Sequence, residues 1–182
     1  MSLRLSFAEI GLPGPVRRKY FRELIELTAR AFQVPVPNLS GLSWDDARIH
    51  FARFTHECAS GIFPGASTGE SAEQRLRTEA VAFGWRLASA LGVRTRRDVM
   101  RAARLLYRSI SIEFRGDENG RIEIPACAFA EIYSPETCRM IAALDGGLLI
   151  GLSGGGTLSF SARLTEGAPS CRARFDFPER LR

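Results

Sequence analysis

Lysine is nearly missing from this chain of 182 residues: Lys19 is the only one, and arginine supplies the rest of the 25 basic side chains. Against 20 acids this leaves a formal net charge of +5. A basic balance invites a nucleic-acid partner. However, Arg22-Glu23, Glu73-Arg75 and Arg77-Glu79 interleave the two signs, as solvated helix faces do, so no nucleic-acid partner is expected. Also missing is any apolar run near the about 20 residues that cross a bilayer. The start, Met1-Ser2-Leu3-Arg4, lacks the apolar core of a signal peptide. No membrane partner is expected, and the cytoplasm is the default compartment.

Cysteine is sparse: Cys58, Cys127, Cys138 and Cys171, with no C-x-x-C pair. In a leaderless chain of this size such a set is not a disulfide scaffold. Histidine is sparser, with only His50 and His56. His56-Glu57 does not open a zinc-protease motif, because Ser60 stands where a second histidine is required. No Ser/His/Asp order and no nucleophile elbow is present. Gly154-Gly155-Gly156 follows a helix pattern instead of opening one, and no Lys-Ser/Thr comes after it. This excludes a phosphate loop.

What is there reads as one globular domain over residues 1–182, at 45% hydrophobic and 25% charged. A lead-in over 1–15 precedes a helix from about Val16 to Phe32, with Tyr20, Leu24, Leu27 and Ala31 at helical spacing. Ser43, followed by Asp45 and Asp46, caps a second helix through Ile49, Phe51, Phe54 and Cys58 to Gly61. A third opens near Ser71 and ends at Gly92, with Leu76, Ala80, Phe83, Leu87 and Leu91 on one face. Thr95, with Asp98 three residues on, starts a fourth that runs to about Arg108. The period then changes to two over Ser109–Phe114 and Arg121–Ile124, around the turn Asp117-Glu118-Asn119-Gly120. Ser134-Pro135 starts a fifth helix that ends at the triple glycine, and alternating strands follow over 157–164 and 171–177. The expected fold is α+β: four N-terminal helices (16–108) on an antiparallel-rich β-β-α-β-β unit (109–178).

Candidate chemistry concentrates between Cys127 and Cys171. Cys138 falls in the first turn of the fifth helix, where the macrodipole lowers a thiol pKa; the plainer reading is a small buried hydrophobe. Cys127 follows a strand and Cys171 begins one, so the three thiols are expected at one edge. Zinc wants four ligands, and the fourth is not evident. Asp145 lies about 10 Å along the helix from Cys138 by the rise per residue, so no bound metal or other cofactor is expected. Asp145 interrupts an apolar run and needs a partner. It reads either as half of an ion pair or as an acid/base group. Gly146-Gly147 after it imply close approach to the backbone by a ligand or another helix. His56 either serves structure or points into a pocket under the helices.

These residues carry a resemblance. Cys127-Ala128-Phe129-Ala130-Glu131, then Cys138, Asp145, Gly151-Leu152 and Leu164-Thr165-Glu166-Gly167-Ala168-Pro169-Ser170-Cys171 resemble the C-terminal signature of the L-2-amino-thiazoline-4-carboxylic acid hydrolase-like family. That family is similar in turn to the vinyl-reductase-type ligand-binding domain, with the helices-then-β-β-α-β-β plan of TRAPP subunits. Ala128 and Ala168 depart from the signature, which has Pro and Asp there. In some sensor members of that domain group four positions hold zinc. Cys138 and Cys171 match two of them, whereas Phe160 and Arg163 stand at the other two and argue against the metal. The resemblance implies hydrolytic opening of a cyclic amidine-like ring. By residue type, Cys138 or Cys127 would be the thiol, Asp145 or Glu131 the carboxylate and Arg163 the cation for a substrate carboxylate, with Cys171 and His56 nearby. The alternative is a non-enzymatic sensor or carrier of a hydrophobic small molecule. Dimerisation through the helices is a further expectation.

Overall fold

The computed structural model describes residues 13–181; the lead-in expected over 1–15 lies, up to residue 12, outside them. Among the described residues five α-helices and one four-stranded antiparallel sheet make an α+β fold. The helices are α1 (Gly14–Phe32), α2 (Trp44–Ala59), α3 (Gly69–Leu91), α4 (Arg96–Ser109) and α5 (Pro135–Ser153). The strands are β1 (Ile112–Gly116), β2 (Arg121–Cys127), β3 (Thr157–Ala162) and β4 (Cys171–Asp176), in the order β1-β2-β4-β3. No helix among them is long and apolar enough to cross a membrane.

Local chemistry sets the helix ends. The Ser43 hydroxyl accepts from the Asp46 N–H at 3.1 Å, and Thr95 and Asp98 close a reciprocal capping box. The Ser134 hydroxyl accepts from the Thr137 N–H at 3.1 Å. The α3 face expected from Leu76 to Leu91 is buried throughout. On α1 the expected Leu27 and Ala31 are buried, whereas Tyr20 and Leu24 are half-buried and Phe21 and Ile25 beside them turn inward. Ile49 is exposed, since α2 turns Phe51, Phe54 and Cys58 inward instead.

Two strand expectations are corrected. Ser109 still belongs to α4, and Ser111 turns the chain at φ 61°, so β1 begins only at Ile112. β2 runs past Pro125 to Cys127, which is therefore the last residue of the strand and does not follow it. Proline is tolerated there because β4 pairs only with residues 121–124 of β2, and the ladder to β1 slips by one residue between Glu113 and Arg115. That slip is a bulge, where a missing donor costs little. A second bulge separates Phe160 and Ala162 on β3.

One apolar core joins both halves of the chain. α4 lies against β1, α5 against β3, and α3 packs chiefly on α5. The α3–α5 crossing is backbone to backbone. A Cβ on Gly147 would lie 2.4 Å from the Arg77 carbonyl oxygen, and one on Gly151 2.3 Å from that of Val81. A Cβ on Gly84 would meet the Leu148 carbonyl oxygen at 2.5 Å. Of the two readings of Gly146-Gly147, the second helix is therefore the one realised at Gly147.

Candidate functional site

The opposite side of α5 faces a cavity of about 140 Å³, close in size to engineered apolar cavities that take up a single benzene ring. Its wall brings together Cys127, Cys138, Cys171, Asp145 and Arg163 from β2, α5, β4 and the end of β3. Most of the rest is apolar, including Phe51, Phe83, Leu106, Phe129 and Leu148. Cys138, Ile141, Ala142, Asp145 and Leu148 reach it because their spacing keeps them on one helical face. Both sheet bulges adjoin it, one beside Ile124 and Cys127, the other just before Arg163. Bulges re-aim side chains in this way at strand ends.

Asp145 is the electrostatic centre. Burial in the apolar wall pushes its carboxyl up to about 6, against the Tyr107 hydrogen bond and the attraction of Arg163, which favour the charged form. The Tyr107 hydroxyl donates to Asp145 Oδ1 at 2.5 Å. The Tyr107 ring stacks on Phe114, with centroids 4.8 Å apart and planes at 18°, which fixes the donor. Burial, followed by the Asp145 charge, holds the Tyr107 phenol well above its ordinary value, so it remains a donor.

Arg163 extends over the Phe160 ring, its Cζ 4.2 Å from the centroid. Its Nε is buried without a hydrogen-bond partner. Buried donors are normally satisfied, and no carboxylate among the described residues lies within ion-pair distance of Arg163. A cation with an unused donor on a cavity wall suits an anionic ligand group.

The three thiols do converge, but not as thiolates. Burial pushes Cys127 up to about 11. It also raises Cys138, against the Thr165 hydroxyl, and Cys171, against the Leu164 N–H that donates to its Sγ at 3.3 Å. For Cys138 desolvation outweighs the helix-start position expected to lower its pKa. All four cysteines are free, and Cys58 is a fully buried core residue pushed up to about 12, first by burial. No group of three or more His, Cys, Asp or Glu among the described residues is arranged to hold a metal ion.

Two expected site residues are elsewhere. Glu131 is exposed in the turn after β2 and does not line the cavity. His56 also lies outside the lining: its Nδ1 is 2.8 Å from the Thr137 hydroxyl and 3.4 Å from that of Ser60, tying α2 to the first turn of α5. Conversely, Tyr107 and Tyr133 line the cavity, and neither stands out in the sequence as a site residue. Tyr133 shares a 2.6 Å hydrogen bond with the Thr55 hydroxyl. The one signal for Tyr107 is a tyrosine on the apolar face of an arginine-rich helix, where its hydroxyl needs a partner.

No family model matches the sequence, and neither characterised proteins nor solved structures give a match.

Proposed function

We propose that the protein hydrolyses a small cyclic C–N compound of the thiazoline or amidine type that carries a carboxylate. The observation behind this reading is the meeting of Asp145, Arg163 and Cys138 in one ring-sized cavity. It is joined to the motif resemblance between Cys127 and Cys171. A carboxyl group near pH 6 is poised for proton transfer at neutral pH. With Oδ1 held by Tyr107, Oδ2 of Asp145 takes a proton from water as the water oxygen bonds to the amidine carbon. The proton then passes to the ring heteroatom whose bond to that carbon breaks, and the carboxylate is regenerated. Arg163 holds the substrate carboxylate. The raised thiols favour water over Cys138 as the nucleophile.

Turnover of cyclic amidines by purified variants tests the assignment. Asp145→Asn is expected to lower kcat by about 10²–10⁴-fold, the usual worth of acid–base catalysis. Arg163→Ala is expected to raise KM more than it lowers kcat, and Cys138→Ser to keep kcat within a few-fold. Unchanged turnover in Asp145→Asn would sink the mechanism. The apolar remainder of the wall favours one second reading, a binding protein for a small hydrophobic ring. Ring compounds that raise the melting temperature without being turned over would support it.

A further inference from the structure

The motif segment from Leu164 to Cys171 holds one charged residue that the proposed reaction leaves unused, Glu166. A single 3-10 turn over Leu164–Glu166 follows β3 and folds back on Arg163. The Arg163 carbonyl oxygen accepts from the Glu166 N–H at 3.1 Å and from the Ala168 N–H at 3.2 Å. Gly167, at φ 84°, permits this double closure. The main chain of Arg163 is therefore as fixed as the turn that it starts. On the inside, the Leu164 N–H donates to Cys171 Sγ and the Thr165 hydroxyl meets the Cys138 sulfur. On the outside, Glu166 joins the turn to the start of α5: its Oε1 accepts from Arg139 Nε and Nη2, each at 2.8 Å. Glu136 lies 3.7 Å from Arg139 Nη1, so Arg139 is also held from its own helix.

The geometry points to Glu166 as a positioning residue that acts through Arg139 on the placement of Arg163. This rests on the reading that Arg163 holds a substrate carboxylate. The Arg163 guanidinium lies on the Phe160 ring, a contact that sets its height above the ring and leaves its heading free. Its aim into the cavity is then decided by where the turn carries its main chain. Without Glu166 the outer side of the turn loses its tie to α5, and a shift of about 1 Å in a binding group is enough to weaken what it holds. The two roles open to Glu166 have opposite signs. A carboxylate acting only through its charge repels a bound anion, so its removal would tighten binding. A carboxylate that positions Arg163 makes its removal weaken binding.

Calorimetric titration of the full chain with 2-aminothiazole-4-carboxylate, an aromatic ring that water does not open, and with its carboxamide tests this. The wild type is expected to bind the carboxylate about tenfold more tightly than the carboxamide, and Arg163→Ala should abolish that preference. Glu166→Ala should weaken the carboxylate about three- to five-fold, the reach of an exposed ion pair, and leave the carboxamide within about twofold. Glu166→Gln, which keeps an acceptor for Arg139, should fall between Glu166→Ala and wild type. Adding Glu166→Ala to Arg163→Ala should change nothing further. Asp176→Ala breaks a similar exposed pair with Arg174 on β4 and should match wild type with both rings. The inference is overturned if Glu166→Ala binds the carboxylate as tightly as wild type or more so. It is also overturned if Glu166→Ala weakens both rings alike, or if its effect persists without Arg163. A preference missing from wild type or retained by Arg163→Ala removes the carboxylate role of Arg163, and this inference falls with it. A deficient Arg163→Ala beside an unimpaired Glu166→Ala overturns the inference alone.

Discussion

The two sides of α5 are built on opposite principles. Toward α3 the helix gives up side chains: Gly147 and Gly151 bring its backbone against Arg77, Val81 and Gly84 with no room for a methyl group. Toward the sheet it keeps side chains and leaves space, with Cys138, Ile141, Ala142 and Asp145 around a cavity. The first side makes contacts that cannot slide, and the second tolerates an ionisable group and an unpaired donor. A tight crossing beside an incompletely filled wall is how a fold secures a site without filling it. The difference between the two sides explains why one helix holds both the glycines and the chemistry.

That contrast can be attacked at several points. The largest effect is expected on the tight side. Gly147→Val with Gly151→Val forces α3 and α5 apart, and overpacking at two positions should cost about 4 kcal/mol or more in urea unfolding. A loss below about 1 kcal/mol would mean the crossing gives way easily. Next comes the charge on the open side. The folded-state pKa of Asp145 is raised, so its contribution to stability is fully present below about pH 4 and is lost as pH rises through about 6. Asp145→Asn keeps the acceptor for Tyr107 without the charge. The variant should match wild type near pH 4 and be more stable by up to about 3 kcal/mol above pH 7, since each tenfold change in proton affinity is worth about 1.4 kcal/mol. A melting-temperature difference that does not change between pH 4 and 8 would remove the buried-charge account. Smaller still is Ser134→Ala, which deletes the cap common to both sides and should cost about 1 kcal/mol. The smallest change is Ala142→Leu, which adds volume where there is space. It should alter stability by less than about 1 kcal/mol while blocking ring-sized ligands, as calorimetry would record.

Much of this was legible because it is local. Ser43, Thr95 and Ser134 announce helix starts through bonds that span three residues, and the apolar face of α3 needs nothing beyond its own period. The alternation over 109–114 misled because Ser109 and Ile110 serve the end of α4; a period of two cannot distinguish a strand from the last turn of a helix. Asp145 stood out because a carboxylate in an apolar run demands an explanation. Its partner did not, since Tyr107 is 38 residues away and only the packing of α4 beside α5 unites them. Glu131 has the right residue type and stands in the Cys127–Glu131 motif, yet nothing in its neighbourhood says that the turn after β2 leaves it in solvent. His56 looked chemical because histidine is rare here, whereas its geometry serves the junction of α2 and α5.

The four free cysteines form a built-in depth gauge. Cys58 is 0% exposed in the core of the helical half, so a thiol reagent reaches it only when that core opens. Cys127 and Cys138 are half-buried on the cavity wall, and their modification reports the smaller opening that any ligand must also use. Comparing the two rates in one labelling time course, resolved peptide by peptide, separates breathing of the site from unfolding of the chain. The native protein can thus be followed by its own thiols, without an added probe.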